Sequence, residues 1–191
     1  MELQKLNVKV FVQQPNLVPL TDFIEIFHGW IQATDGDYHD VADYSHMQAG
    51  PGVVLIANDA NVSIDEVQNR RGLLFSQKAP LSGSNREKLR RVLRSALENC
   101  RKLEEEPTLR GRLRFDLTET VISLNDRLIG TNSEQSFKEI KDDIVAVAQE
   151  LFGASEIDIE RDNDPRQRLN VTLKTSAAVD LRKTLEILQK N

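Results

Sequence analysis

The three histidines of this 191-residue chain, His28, His39 and His46, all fall within its first 46 residues, beside Asp35, Asp37, Asp40 and Asp43. Imidazole and carboxylate together are the ligand set of a transition metal and the proton-transfer set of a hydrolase. Spacing restricts both uses. On a strand, His39 and Asp43 share one face, while Asp40 and His46 share the other. A site can therefore use one pair, not both, and the pattern favours neither a metal nor a cofactor. His28 falls at the border of a helical apolar stripe and reads as a packing residue.

Asp43 lies in Val41-Ala42-Asp43-Tyr44, among residues expected to be half buried. A carboxylate there needs hydrogen-bond donors, or it neutralises. Main-chain amides of the turn at 48–52 would make it structural; His46 nearby would make it a general acid or base. The second polar cluster is "NDRLIGTNSE", residues 125–134. Asn125, Asp126 and Arg127 end a strand just before a helix start, where Asn132 or Ser133 serves as the cap. A strand end beside a helix N-terminus suits an anion, and Arg127 offers a bidentate grip. The competing reading is local pairing of Asp126 with Arg127. Arg166 is a weaker candidate of the same kind.

Other chemistries lack their residues. "AGPG" at 49–52 has no Gly-Lys-Ser/Thr and leads into a strand, so it is no phosphate cradle. No Gly-x-Ser-x-Gly elbow and no spaced Cys/His zinc set is present. The single cysteine, Cys100, falls on the apolar stripe of a helix and reads as a small buried hydrophobe. One cysteine also excludes an internal disulfide and fits a reducing, cytoplasmic setting. Met1 to Lys5 lacks a basic-then-apolar leader pattern, and no apolar run approaches the ~20 residues that span a bilayer.

The net charge of −5 is banded. Residues 1–60 hold 2 basic and 8 acidic side chains, residues 61–114 hold 13 and 7, and residues 115–191 hold 10 and 15. The bands either steer an anion to the middle segment or face one another in the fold. The arginine-rich stretch 84–105 invites a nucleic-acid reading. Glu87 and Glu98 interrupt its exposed face, with Glu87–Arg91, Arg94–Glu98 and Glu98–Lys102 at i, i+4. Aromatic residues make up 5% of the chain and do not interleave with the basic ones. The pattern argues against nucleic acid.

These clusters must be positioned by regular elements. Val8, Val10 and Val12 alternate in a strand. Leu20, Phe23, Ile24, Phe27 and Ile31 recur at helical spacing. Residues 38–45 and 52–57 read as strands around the Gly-Pro-Gly turn, 58–71 stay ambiguous, and 73–75 form a short strand. Residues 84–105 form the clearest helix, opened by a Ser84/Glu87 capping box. Strands at 112–117 and 120–126, a helix at 133–152, strands around 157–159 and 169–173, and a helix at 179–188 complete the chain. The order predicts an α+β fold: a mainly antiparallel sheet with amphipathic helices packed on it. It is read as one unit over 1–191, divisible into similar lobes 1–106 and 107–191.

The segments "DVADYSHMQAGPGVVLIAN", "RRGLLF" and "NDRLIGTN", with "DPR" at 164–166, resemble a family of uncharacterised bacterial proteins in the same order. Ile129-Gly130-Thr131 departs from an Ala-Pro step in that family's pattern. The resemblance implies no activity, cofactor or site residue. From the residues alone, the expectation is a non-enzymatic cytoplasmic module that binds a partner protein or a small polar ligand. Its binding candidates are Asp43, His46, Asn125, Asp126 and Arg127. The alternative is a hydrolase using Asp43 and His46, with Arg127 on a bound anion.

Overall fold

The structure is a computed structural model and describes residues 1–126, 128–153 and 157–189. The elements are β1 (Leu6–Val12), α1 (Asp22–Ala33), β2 (Tyr38–Tyr44), β3 (Gly52–Ala57), β4 (Ala60–Asp65) and β5 (Gly72–Gln77). They continue with α2 (Asn85–Glu104), β6 (Phe115–Leu124), α3 (Glu134–Phe152), β7 (Ile157–Arg161), β8 (Leu169–Thr175) and α4 (Leu181–Gln189). Among the described residues the strands form a single sheet in the order β2-β3-β4-β5-β1-β6-β8-β7, every pair antiparallel. The α+β expectation is met. The lobes 1–106 and 107–191 share that sheet, because β1 pairs with β5 on one side and β6 on the other.

Period-two alternation decides which face the helices cover. Leu6, Val8, Val10, Val53, Leu55, Val62, Ile64, Leu73, Ile122, Leu124, Val171 and Leu173 belong to one buried cluster with the apolar stripes of the helices. Residues of the opposite parity on the inner strands are Asn7, Lys9, Phe11, Asn61, Ser63, Ser123 and Asn170. None of them belongs to that cluster. No helix of the described residues is long and apolar enough to cross a membrane.

Helix α2 spans the middle of the sheet. Ser84 accepts from the Glu87 amide while the Glu87 carboxylate accepts from the Ser84 amide, closing the expected capping box. Lys88, one of the basic residues of the arginine-rich stretch, is 1% exposed, and its Nζ lies 2.6 Å from Glu2 Oε1. Its charge is turned toward the chain start rather than toward solvent. The charge bands meet within the fold. Arg86, Arg90 and Arg70 pair with Asp143, Glu150 and Glu119, and Arg112 lies 3.7 Å from Asp22.

Two expectations change. The ambiguous stretch 58–71 contains β4. The two strands expected at 112–117 and 120–126 are one strand, β6, interrupted by a bulge. There β1 advances from Val10 to Phe11 while its partner moves from Thr120 to Asp116. Asp116 Oδ1 accepts from Thr118 N at 2.9 Å and Thr118 Oγ1 at 2.6 Å, a local turn that interrupts the alternation without ending the strand.

The Gly-Pro-Gly segment joins β2 to β3. Gly52 has φ +65°, and a Cβ there would lie 1.9 Å from the Ile64 carbonyl oxygen on β4. Only a residue without a side chain lets β3 start flush against its neighbour. Gly52→Ala is expected to cost about 2–4 kcal/mol of stability. Urea unfolding checks this, and a loss below ~0.5 kcal/mol, the range of a neutral surface change, would contradict the close approach.

Candidate binding face of the sheet

The sheet face away from the helices carries a polar row. Asn61 on β4 lies opposite Ser76 on β5, Ser76 opposite Asn7 on β1, Asn7 opposite Ser123 on β6, and Ser123 opposite Asn170 on β8. Asparagine is a poor strand residue, yet here it occupies alternate strands at one level. The neighbouring level reads Leu74, Lys9, Val121, Thr172 and Glu160. An open concavity of about 610 Å³ lies over Asn7, Ser123, Asn170, Lys9, Val121 and Thr172. That volume falls in the range of small-molecule sites.

Asn7 is 3% exposed, and its Oδ1 has no hydrogen-bond partner; the buried Oδ1 of Asn61 has none either. A buried carboxamide oxygen without a partner costs about 1–3 kcal/mol. Three ion pairs stand around the row, and Arg161, Asp162 and Arg168 also line the concavity. Lys9 Nζ contacts Asp65 Oδ2, and Asp65 is 2% exposed. Arg70 grips Glu119 with two bonds of 2.8 and 2.9 Å, and its guanidinium carbon lies 3.7 Å from the ring centroid of Phe11. Phe11 is thus buried outside the main core, under a cation held by a carboxylate. Lys174 donates to Glu160 at 2.9 Å. The Arg70 bond holds the Glu119 carboxyl below its ordinary range, and Glu119 raises Arg70 in turn.

The sequence candidates lie elsewhere. Asp43 is exposed on the edge strand β2, not half buried, and it accepts from Ser45 N at 2.8 Å rather than from the 48–52 turn. Those Ser45 bonds, with His46 nearby, lower its pKa. An edge strand buries one side poorly, which is why the expected burial fails. His28, His39 and His46 are exposed. Asn125 is exposed, and its amide donates to the Lys5 carbonyl at 3.0 Å. Asp126 Oδ1 accepts from Leu128 N at 3.1 Å, and Oδ2 lies 3.7 Å from Lys5 Nζ. Arg127 lies outside the described residues. Strands β2 and β6 are five steps apart, about 24 Å at ~4.8 Å per step. Asp43 and His46 are therefore not brought to Asn125 and Asp126.

Other polar residues also settle into structural duties. Ser133 caps α3 by accepting from Ser136 N at 3.1 Å. Asn132 instead pins the β7–β8 turn, donating to the carbonyls of Asp162 and Asp164 and accepting from Arg161 Nη1. Arg166 is held by Asp164 at 2.9 Å. Cys100 is fully buried, and burial pushes its thiol pKa up. No group of metal-ligating side chains forms among the described residues.

A second hollow, about 540 Å³, runs between α1 and the turn after α2, past Asp22, Glu25, Trp30 and Glu106. Its polar groups largely have partners. Trp30 Nε1 donates to Glu106 at 3.4 Å, Asp22 lies 3.7 Å from Arg112, and Lys102 Nζ sits 3.7 Å from the Trp30 ring centroid. The uncovered sheet face differs in holding buried polar atoms that the chain leaves unmet.

Two measurements check these energetics. Asp65→Ala strands the Lys9 ammonium and is expected to cost about 3–5 kcal/mol, whereas Lys9→Met with Asp65→Leu recovers most of it. Equal losses in the single and double variants would contradict a coupled pair. The Glu119 pKa is lowered from 4.5, so its contribution is full above that value and fades as pH falls through the lower folded pKa. Half exposed through Arg70, it amounts to under about 1 kcal/mol. The stability difference between wild type and Glu119→Gln should therefore be constant above that ordinary value and shrink in acid. A difference that grows in acid would contradict the pairing.

No family model, no curated protein and no solved structure matches the chain.

Proposed function

We propose that the protein is a non-enzymatic binding module whose ligand lies on the uncovered face of the sheet, across β1, β6 and β8. The observation that carries this reading is the Asn7 carboxamide. Asn7 lines the concavity, and its carboxamide oxygen is buried with no partner. A folded chain gains nothing from such a group, since a leucine of similar size would fill the same space without the penalty. A polar group kept at a cost to stability is the mark of a binding site. The neighbours favour binding over catalysis. Asp65, Glu119 and Glu160 are each ion-paired, so none stands free as a general base.

The hydrolase alternative has less support, because Asp43 and His46 are both exposed, Asp43 on the edge strand β2. A ligand on the sheet face fits both halves of the earlier expectation, since a polar small molecule and a segment of a partner protein offer the same hydrogen-bonding groups.

Asn7→Leu separates function from structure. It should raise the unfolding free energy of the free protein by about 1 kcal/mol. It should also remove the thermal shift produced by whichever compound of a polar-ligand panel stabilises the wild type. A destabilised variant that keeps the wild-type ligand response would contradict the proposal.

A further inference from the structure

Resting on that reading, we infer that the ligand is a small hydroxylated organic monocarboxylate. Its carboxylate lies on the Arg168 guanidinium and its hydroxyls on the polar side chains of β1, β6 and β8. Three observations lead there.

The first is an open charge. Four cations line the concavity: Lys9, Arg70, Arg161 and Arg168. Lys9 is paired with Asp65, and Arg70 with Glu119. Arg161 is bonded to Asn132, Asn163 and the Asp162 carbonyl, which ties it into the β7–β8 turn. Arg168 is exposed and has no partner among the described residues. Two residues earlier in the same turn, Arg166 is closed by two bonds of 2.9 Å to Asp164. The lining carboxylates are engaged elsewhere. Asp65, Glu119 and Glu160 are ion-paired, and Asp162 accepts from Asp164 N at 3.0 Å.

The second is the kind of group around that charge. Arg168 immediately precedes β8, and Asn170 and Thr172 follow it at two-residue intervals, on one face of the strand. Ser123 on β6 lies opposite Asn170, and Asn7 on β1 lies opposite Ser123. All of them line the concavity. The Asn7 oxygen is enclosed, so the end of that side chain that reaches the hollow is the NH2 group, a donor. A guanidinium has five N–H donors and no acceptor. This surface asks for acceptor oxygens, and ligand hydroxyls answer the serine, threonine and asparagine groups in either sense.

The third is charge number and reach. One open guanidinium matches one carboxylate in a planar two-point contact. A phosphate dianion would find a second cation only by breaking a pair. No α-helix contributes to the lining, so no helix-start amides add to the charge. Asn7 and Asn170 stand two strand steps apart, about 9.6 Å. An acid anchored at Arg168 spans that gap with a short hydroxylated tail.

The experiment uses the full chain, labelled with 15N, and follows the side-chain resonances of asparagine and arginine during titration. The probes are gluconate, sorbitol, hexanoate and inorganic phosphate. The expected result is saturable gluconate shifts at Asn7, Asn170 and Arg168. Sorbitol keeps the hydroxyls without the charge, and hexanoate keeps the charge without the hydroxyls. Each should bind at least about tenfold more weakly than gluconate. Arg168→Gln should lower gluconate affinity to that of sorbitol, whereas Arg166→Gln, at the neighbouring exposed position, should leave it unchanged. Equal binding of sorbitol, or wild-type gluconate affinity in Arg168→Gln, overturns the anion assignment, while loss of that binding in Asn7→Leu keeps the polar site in place. Equal binding of hexanoate overturns the hydroxylated tail. Preference for phosphate overturns the monocarboxylate. Gluconate binding that is lost in Arg168→Gln but kept in Asn7→Leu overturns the role given to Asn7 and leaves the anion contact standing. Silence of all four probes at Asn7, Asn170 and Arg168 overturns the inference, and the stability and ligand response of Asn7→Leu then decide the site by themselves.

Discussion

The double pairing of β1 constrains everything else in this molecule. The strand is bonded to β5 on one side and β6 on the other, so both halves of the chain are hydrogen-bonded to the same seven residues. Its alternation then fixes two environments at once. Leu6, Val8, Val10 and Val12 enter the core beneath the helices. Asn7, Lys9 and Phe11 are carried to the other face, at the centre of the sheet, outside the core that α1–α4 cover. A one-residue slip of β1 would exchange the two sets and place a lysine and an asparagine in the core. Register is therefore strongly specified at the place where the polar face is built.

That face reconciles burial with polarity in two ways. Several of its ions pair internally: Asp65 meets Lys9, and Glu119 holds Arg70 over Phe11. The carboxamide oxygens of Asn7 and Asn61 have no partner. Breaking an ion pair and leaving a carboxamide unmet are different kinds of cost, and only the second is removed when a ligand arrives. The ion pairs stiffen the rim, while the row of asparagines and serines keeps unmet hydrogen-bonding capacity. Binding here needs no catalytic group and no rearrangement of the sheet.

Much of the fold could be read in the residues themselves. The valines of β1, the apolar stripe of α2 and the Ser84/Glu87 cap each announce their element through period and capping chemistry. The bulge in β6 could not be read, because Asp116 and Thr118 signal a turn and only the partner strand shows that pairing resumes beyond it. The site was less legible. Histidine and aspartate drew attention to residues 39–46, yet a side chain's chemistry says nothing of its surroundings, and β2 proves to be an exposed edge. Asn7 passed as the outward half of an alternating strand. The signal was present in asparagines at strand positions 7, 61 and 170, an unfavourable choice made three times. Their alignment depends on strand order and register, which local pattern does not contain. The charge bands behaved similarly: their cancellation through Arg86, Arg90 and Arg112 needed the topology.

The most direct measurement is a crystal structure at a resolution that shows ordered solvent. A ligand-binding face predicts that the Asn7 carboxamide has no protein partner and meets a water or a bound solute in the concavity. A carboxamide turned to bond Ser76 or Ser123, closing the row on itself with nothing above it, would contradict a binding role for this face.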